Sequence, residues 1–382
     1  MVVEVLIKSL FIILVIIVGL APVITWIERK QSAVMQDRIG ANRADIAGIT
    51  VIGLLHPLAD VIKLLSKEDV VPRGANRVMH LLAPLVAAIP AVVAFAVIPY
   101  GGVYQFGDNE LSLVASNPDW GLLYIFAIGA LATYGTVMAG WASNNNWSLL
   151  GGIRATAQMI SYEVTMGLSV VGIFMVFQTL QLQEMCLAQD STFRLLGFLE
   201  LFGLVLPPWL DWIRLPAWGV FLQPLGFILF LTTITAENKR PPFDLPEGES
   251  ELIAGYFLEY SGMRFGLFYM SEFIEVVVIA GLMTTLFLGG WAVPFLSTET
   301  MIAGIGSVFG TGFATGLTML VHFATFMAKV VVMIWVQMLL RWTLPRFRYD
   351  QVMDLCWKII LPLSIANIFV TGFVMLLVQE AA

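Results

Sequence analysis

The chain has 382 residues, of which 59% are hydrophobic and only 12% charged, with a formal net charge of −7 and a mean hydropathy of +0.86. A soluble domain carries about 25% charged residues, so this composition excludes a water-soluble globular fold and makes lipid the natural solvent. The apolar runs are continuous over about 20 residues rather than alternating, which excludes a barrel and predicts an all-α polytopic membrane protein.

The first apolar run, VLIKSLFIILVIIVGLAPVITWI, is too long for a signal-peptide core and lacks a clear small-residue cleavage site, so it reads as a span near 5–27. Further spans are predicted near 80–100, 120–141, 158–179, 218–236, 265–290, 317–340 and 357–378, about eight in one membrane domain. The stretch 195–216 is apolar but carries a Pro-Pro pair with Glu200, Asp211 and Arg214, which favours an interfacial hairpin over a ninth span. The Gly-rich segment 301–316 can extend the seventh span as a bent or re-entrant piece.

Eight spans place the loops on alternating sides, and sixteen of the twenty basic residues then fall in loops 28–79, 142–157, 237–264 and 341–358. The opposite loops hold Arg194 and Arg214, while Lys8 and Lys329 lie within spans. Basic residues mark the cytoplasmic side, so these four loops are expected to be cytoplasmic and both termini to face outward.

Loop 28–79 opens with Glu28, Arg29 and Lys30, where the first span leaves the membrane, followed by Gln36, Asp37 and Arg38. Within it, LLHPLADVIKLLSKED puts Leu54, Leu58, Val61, Ile62 and Leu65 on one helical face and Asp60, Lys63 and Lys67 on another. This predicts an amphipathic helix near 54–67, either anchored in the headgroup plane or walling a cavity that admits an amphiphile from the bilayer.

Loop 237–264 is acidic. Between 237 and 275 stand Glu237, Asp244, Glu247, Glu249, Glu251, Glu259, Glu272 and Glu275, against Lys239, Arg240 and Arg264. Asp244 and Pro246 suit the start of a helix over 246–260, which puts Glu247 and Glu251 on one face. Capping does not account for Glu259, nor for Glu272 and Glu275, which fall inside the sixth span. Glu163 falls inside the fourth span, and Lys329 falls near the middle of the seventh with His322 seven residues earlier on the same face. An ionised side chain there costs about 2.5–3.5 kcal/mol even on the lenient insertion scale, so such residues are functional by default. Clustered carboxylates in apolar surroundings exchange protons near neutral pH, as a proton wire requires. A Glu163–Lys329 pair that merely locks helices together is the structural alternative.

The two cysteines, Cys186 and Cys356, lie far apart and outside any CxxC, which argues against a disulfide framework, a zinc site or an iron–sulfur cluster held by this chain alone. Of His56, His80 and His322 only the last is well inside a span, so no pair suggests bis-His haem ligation. No metal ligands are assigned.

Five stretches, ERKQSAVMQDRIGANR, LADVIKLLSKED, RATAQMISYE, AENKRPPFDLPEGESELIAGYFLEYSGMRFGLFYMSEF and RWTLPRFRYDQVMDLCWKIILP, carry a resemblance. From about residue 26 to 365, in order and spacing, the chain resembles the H-subunit family of respiratory complex I, the proton-pumping NADH:quinone oxidoreductase. The resemblance implies the membrane part of the quinone chamber, where the hydrophilic arm meets the membrane arm. Quinone is then the substrate, no cofactor is bound covalently, and FMN and iron–sulfur clusters sit only in partner subunits. It implies that Glu28, Arg29, Lys30 and Arg38 line or brace the quinone tunnel, with Asp60 and Lys63 beside its mouth. It implies a proton path through Glu163, Glu237, Asp244, Glu247, Glu249, Glu251, Glu259 and Glu272, to which the residue pattern adds Lys329. Arg341, Arg346, Arg348, Tyr349 and Asp350 match the family's last cytoplasmic loop. The implied partners are hydrophilic-arm quinone-site and iron–sulfur subunits, small membrane subunits, antiporter-like subunits and lipid, with no nucleic acid. The implied location is a bacterial inner membrane, crossed many times, with both termini periplasmic.

Three departures stand out. Ala41 replaces a usual Pro, His56 stands where Gln is frequent, and segment 181–217 is longer than usual and matches poorly. The rivals are the equivalent subunit of a membrane-bound hydrogenase, a cation or proton secondary transporter, and a simple anchor for the hydrophilic arm. No internal repeat supports the transporter, and an anchor does not need Glu163, Glu272 or Lys329 in lipid.

Overall fold

The computed structural model describes residues 2–106, 109–194, 214–245 and 255–381. The chain opens with α1 (Val2–Phe11) and α2 (Val18–Met35), joined through a π-helical segment over Ile12–Ile17. The short α3 (His56–Ser66) follows, with Pro57 in its first turn. Next come α4 (Arg77–Ala94), the hairpin β1 (Val103–Phe106) and β2 (Asn109–Ser112), then α5 (Gly121–Ala142) and α6 (Asn146–Phe177). Beyond them lie α7 (Leu182–Ala188), β3 (Thr192–Arg194), β4 (Arg214–Pro216), α8 (Gly219–Leu222) and α9 (Pro224–Glu237). The last part is α10 (Gly262–Phe287), α11 (Thr298–Phe309), α12 (Thr311–Thr343), α13 (Tyr349–Asp354) and α14 (Leu361–Ala381).

Among the described residues seven helical stretches are long and apolar enough to cross a membrane: Val5–Met35, Arg77–Val97, Gly121–Ala142, Asn146–Phe177, Gly262–Phe287, Thr311–Thr343 and Tyr349–Gln379. The chain is a multi-pass, all-α membrane protein. The segment expected as a span near 218–236 is instead broken at Gln223, leaving α9 with 14 residues. At 1.5 Å per residue that is about 21 Å, short of the ~30 Å hydrocarbon core. Helix α6 starts twelve residues before the expected 158, because the Asn145 side chain accepts from the Trp147 amide at 3.0 Å and caps it there. The Gly-rich 301–316 divides into α11 and α12 at Gly310, whose φ of +86° a side chain would resist.

Of the apolar stretch 195–216, residues 195–213 lie outside the described residues, and their flanks β3 and β4 pair antiparallel, Thr192 opposite Pro216. Residues 246–254 likewise lie outside them. Of the helix expected over 246–260, residues Gly255–Phe257 form a single 3-10 turn.

Helix α10 is the hub, the most buried of the seven, and packs against α2, α3, α4 and α12. Helix α5 lies between α4 and α6. Small residues let these backbones approach, as expected where lipid supplies no hydrophobic drive between helices. A Cβ at Gly135 would stand 2.6 Å from the Ala87 amide nitrogen of α4, and one at Gly140 2.8 Å from the Ser148 carbonyl oxygen of α6. The outward faces are apolar, as in Leu6, Ile7 and Leu10 of α1 or Phe369 and Phe373 of α14. Glu28 of α2 meets Arg240 after α9 and Arg341 of α12.

Candidate functional site

Helix α9 ends in Glu237, and the chain then turns through Asn238, Lys239 and Arg240 to Phe243. One amide pins both feet of this loop. Gln158, fully buried on α6, donates from Nε2 to the carbonyls of Ala236 at 2.5 Å and Phe243 at 2.8 Å. The pinned loop turns Glu237 into a cavity of about 70 Å³ between α4, α5, α6, α9 and α10, where Glu275 and Asn238 also face. A water needs about 10–15 Å³ of such space, so there is room for roughly five. The walls are otherwise apolar, with Ala91, Ile125, Met159 and Leu282 among them. Gly129 leaves clearance beside Glu237, since a Cβ there would lie 3.8 Å from Oε1.

Glu237 feels the charges of Glu163 on α6, Glu275 on α10 and Lys239 on its own loop. Glu275 in turn feels Lys239, Glu272 and Arg240. Carboxylates coupled this closely titrate as a set rather than singly. Among the described residues Glu163 Oε1 and both polar atoms of Asn238 are shielded and have no hydrogen-bond partner; at Asn238, which lines the cavity, this fits a hydrated space. Glu272, one turn of α10 from Glu275, accepts from the Tyr256 hydroxyl at 3.4 Å.

Arg240 carries the set toward the first span. Its Nη1 donates to Glu28 Oε2 at 3.1 Å, and its guanidinium lies 4.5 Å from the centre of the Phe273 ring. The other oxygen of Glu28 is taken by Arg341, at the end of α12. Burial alone would depress the Arg240 pKa, but the carboxylates of Glu28 and Glu272 more than offset it and hold the guanidinium protonated. Glu28, near the foot of α2, thereby joins three segments far apart in sequence.

The remaining candidates surround this centre. Arg29 donates to Asp60 of α3 at 2.5 Å, and Lys63 reaches the other Asp60 oxygen at 3.3 Å. Lys30 donates to the Ile39 carbonyl at 3.3 Å, and Arg38 to Gln36 at 2.7 Å. Asp244, expected to cap a helix, is buried and receives Arg346 at 3.0 Å. Glu259 is not brought to Glu237. It accepts from Asn145 at 2.7 Å and lines a separate open polar cleft with Pro72, Ser143, Asn146 and Trp147. Arg348 pairs with Asp350 at 2.9 Å in the exposed last loop. Glu247, Glu249 and Glu251 lie outside the described residues.

Lys329 is not brought to the acidic set either, and it does not pair with Glu163. Its three ammonium hydrogens meet the carbonyls of Leu288 at 2.7 Å, Gly290 at 3.0 Å and Ala292 at 2.7 Å, just past the end of α10. Trp218 covers it at 4.4 Å. Three donors meet three acceptors at a helix C-terminus, where cations are favoured. His322 hydrogen-bonds to the Tyr104 hydroxyl at 2.6 Å in the same neighbourhood. Among the described residues no group of three His, Cys, Asp or Glu is placed to hold a metal ion.

Two contributors escape the sequence pattern, and a third is seen without its partner. Gln158 reads as a lone amide in an apolar run, and Lys239 as an ordinary loop cation. Glu275 carried a usable signal, three residues from Glu272 in an apolar stretch, yet nothing in the sequence tied it to Glu237.

The profile of a protein family described as NADH dehydrogenase matches residues 7–372. The chain is 40% identical over 379 residues to the NADH-quinone oxidoreductase H subunit of Bdellovibrio bacteriovorus, covering 96% of this chain and 94% of that one. It is 42% identical over 366 residues to the H subunit of Thermomicrobium roseum, with 96% and 94% covered. It is 40% identical over 356 residues to the H subunit of Syntrophotalea carbinolica, with 93% and 92% covered.

Proposed function

The chain belongs to the NADH dehydrogenase family, and from that premise we propose that it is the membrane subunit of an NADH:quinone oxidoreductase complex that walls the quinone chamber and begins the proton-coupling path. The observation that carries this reading is the run of mutually acting charges from Glu28, through Arg240, to Glu272, Glu275, Glu237 and Glu163, with Glu237 and Glu275 on the wall of one small cavity. Quinone reduction adds two electrons and takes up two protons. The charge change beside Glu28, Arg29, Lys30 and Arg38 is passed to Arg240, whose carboxylate neighbours then redistribute protons. Glu247, Glu249 and Glu251 extend the path in the acidic loop, and Asp244 and Glu259 flank it. Asp60 and Lys63 guard the mouth through which the quinone tail enters from lipid.

Quinone is substrate here, and the electrons come from iron–sulfur clusters in a neighbouring subunit, with FMN further off. The partners are the hydrophilic-arm, small membrane and antiporter-like subunits. The site is a bacterial inner membrane, and α8 with α9 together make the eighth crossing, so loops 28–79 and 237–264 are cytoplasmic and both termini periplasmic. Lys329 serves the fold as a lock on the end of α10.

Replacing Glu163 or Glu237 by Gln in the assembled complex tests this. Quinone-linked turnover and pumping should fall while assembly persists. Normal rates in both assembled mutants would refute the reading.

A further inference from the structure

Three charged side chains matter at the cavity between α5, α9 and α10: Glu237 and Glu275 on its wall, and Lys239, the cation both of them feel. Lys239 is 7% exposed, on the loop that Gln158 pins at both feet. Its backbone is held at φ +53°, a conformation a lysine rarely adopts. Its Nζ stands 5.4 Å from the centre of the Tyr256 ring, and Tyr256 donates to Glu272. Among the described residues no carboxylate oxygen lies within ion-pair distance of Lys239, although Arg240, its neighbour, is bonded to Glu28 at 3.1 Å. A lysine that a buried, strained backbone holds close to several carboxylates, without giving it to one, acts on them jointly.

We propose that Lys239 is a positioning residue of the proton path, its ammonium being the shared counter-charge of Glu237 and Glu275 that sets the pH at which they pass a proton. This rests on the proton-path reading above. The groups facing it are Glu237 of α9, Glu272 and Glu275 of α10, Glu163 of α6 beyond Glu237, and Arg240 and Tyr256 from the adjoining loop segments. Arg240 is hydrogen-bonded to Glu28 and acts on Glu272 and Glu275 from that fixed position. Among the described residues Lys239 has no such fixed partner and can follow whichever carboxylate is ionised. A nearby positive charge favours a carboxylate's charged form, and its removal favours the protonated form. The alkaline limit of proton transfer must therefore rise when Lys239 loses its charge.

The test is the pH profile of quinone-linked proton pumping by the intact complex in proteoliposomes. Wild type is compared with Lys239→Gln, Lys239→Met, Lys239→Arg and Glu275→Gln. Lys239→Met keeps the apolar stem over Tyr256 and serves if the Gln variant fails to assemble. Both neutral variants should move the alkaline limb up by about one pH unit. Lys239→Arg should hold it near the wild-type position, and Glu275→Gln should abolish pumping at every pH. An unmoved limb in the assembled neutral variants, with Glu275→Gln inactive, overturns the role of Lys239 alone. Normal pumping by Glu275→Gln overturns the proton-path reading beneath it.

Discussion

Arg240 Nη1 stands 3.1 Å from Glu28 Oε2, joining the loop after α9 to the foot of the first span across 212 residues of sequence. Arg341 takes the other Glu28 oxygen, so one carboxylate serves two guanidiniums. Removing it strands both in a poorly solvated place. Glu28→Ala should therefore destabilise by about 3–5 kcal/mol. Asp60→Ala, which breaks the more exposed contacts with Arg29 and Lys63, should cost no more than about 1 kcal/mol. Thermal unfolding of the detergent-solubilised complex orders the two, and equal midpoints would contradict the burial argument.

Gln158 holds the loop that presents Glu237, Lys239 and Arg240. Gln158→Leu keeps the volume but removes both hydrogen bonds, at about 1 kcal/mol each. Amide exchange over 238–245 should quicken, while the helical stretch around Ser161, whose hydroxyl donates within its own helix to the Ala157 carbonyl, stays protected in a Ser161→Ala control. Unchanged exchange in the loop would show that something else fixes it.

Lys329 satisfies the three carbonyls after α10. Lys329→Met should cost about 3 kcal/mol or more, since bonds to a charged group are worth about 1.5–3 kcal/mol each. It should lower the melting midpoint while protons pumped per electron stay constant in the surviving complex. Lost pumping at an unchanged midpoint would instead return Lys329 to the proton path.

Two glycines separate packing from propensity. At Gly135 an added methyl meets the backbone of Ala87 at 2.6 Å, so α4 and α5 must part. Gly135→Ala should destabilise by about 1–3 kcal/mol and disturb the cavity those helices wall. At Gly167, also in a helix, nothing lies within 4 Å, and Gly167→Ala should be neutral or stabilising by up to about 1 kcal/mol. Melting midpoints of the two variants compare them directly.

Hydropathy located the helices because it is a local property. Among the described residues each long apolar run from 77 to 379 holds a membrane-length helix, with one exception. Segment 218–236 is apolar enough, but Gln223 breaks it and Pro224 restarts it. Composition sums over a window, whereas a single backbone turn divides the helix within it. The start of α6 shows the converse, since the Asn145 cap adds twelve residues that hydropathy omits. Among candidate residues, Glu28, Glu163, Glu237 and Glu272 were conspicuous as charges in apolar surroundings; Glu237 lines the cavity, Glu163 acts on its charge, and Glu28 and Glu272 act on Arg240. Glu259 and Lys329 were equally conspicuous and lie elsewhere, because cost in lipid marks a residue as held by something without saying by what.

The sequence by itself determined the solvent of this chain, the helical class and the roster of side chains too polar for their surroundings. Each of these follows from transfer free energies that one residue, or one window of residues, carries alone. Only the tertiary structure decided which charges meet: Glu28 with Arg240 and Arg341, Glu237 with Glu275 across a cavity, Lys329 with three carbonyls rather than with Glu163. Those pairings depend on how helices far apart in the chain are rotated and stacked, and a side chain's partner is set by that packing rather than by its neighbours in sequence.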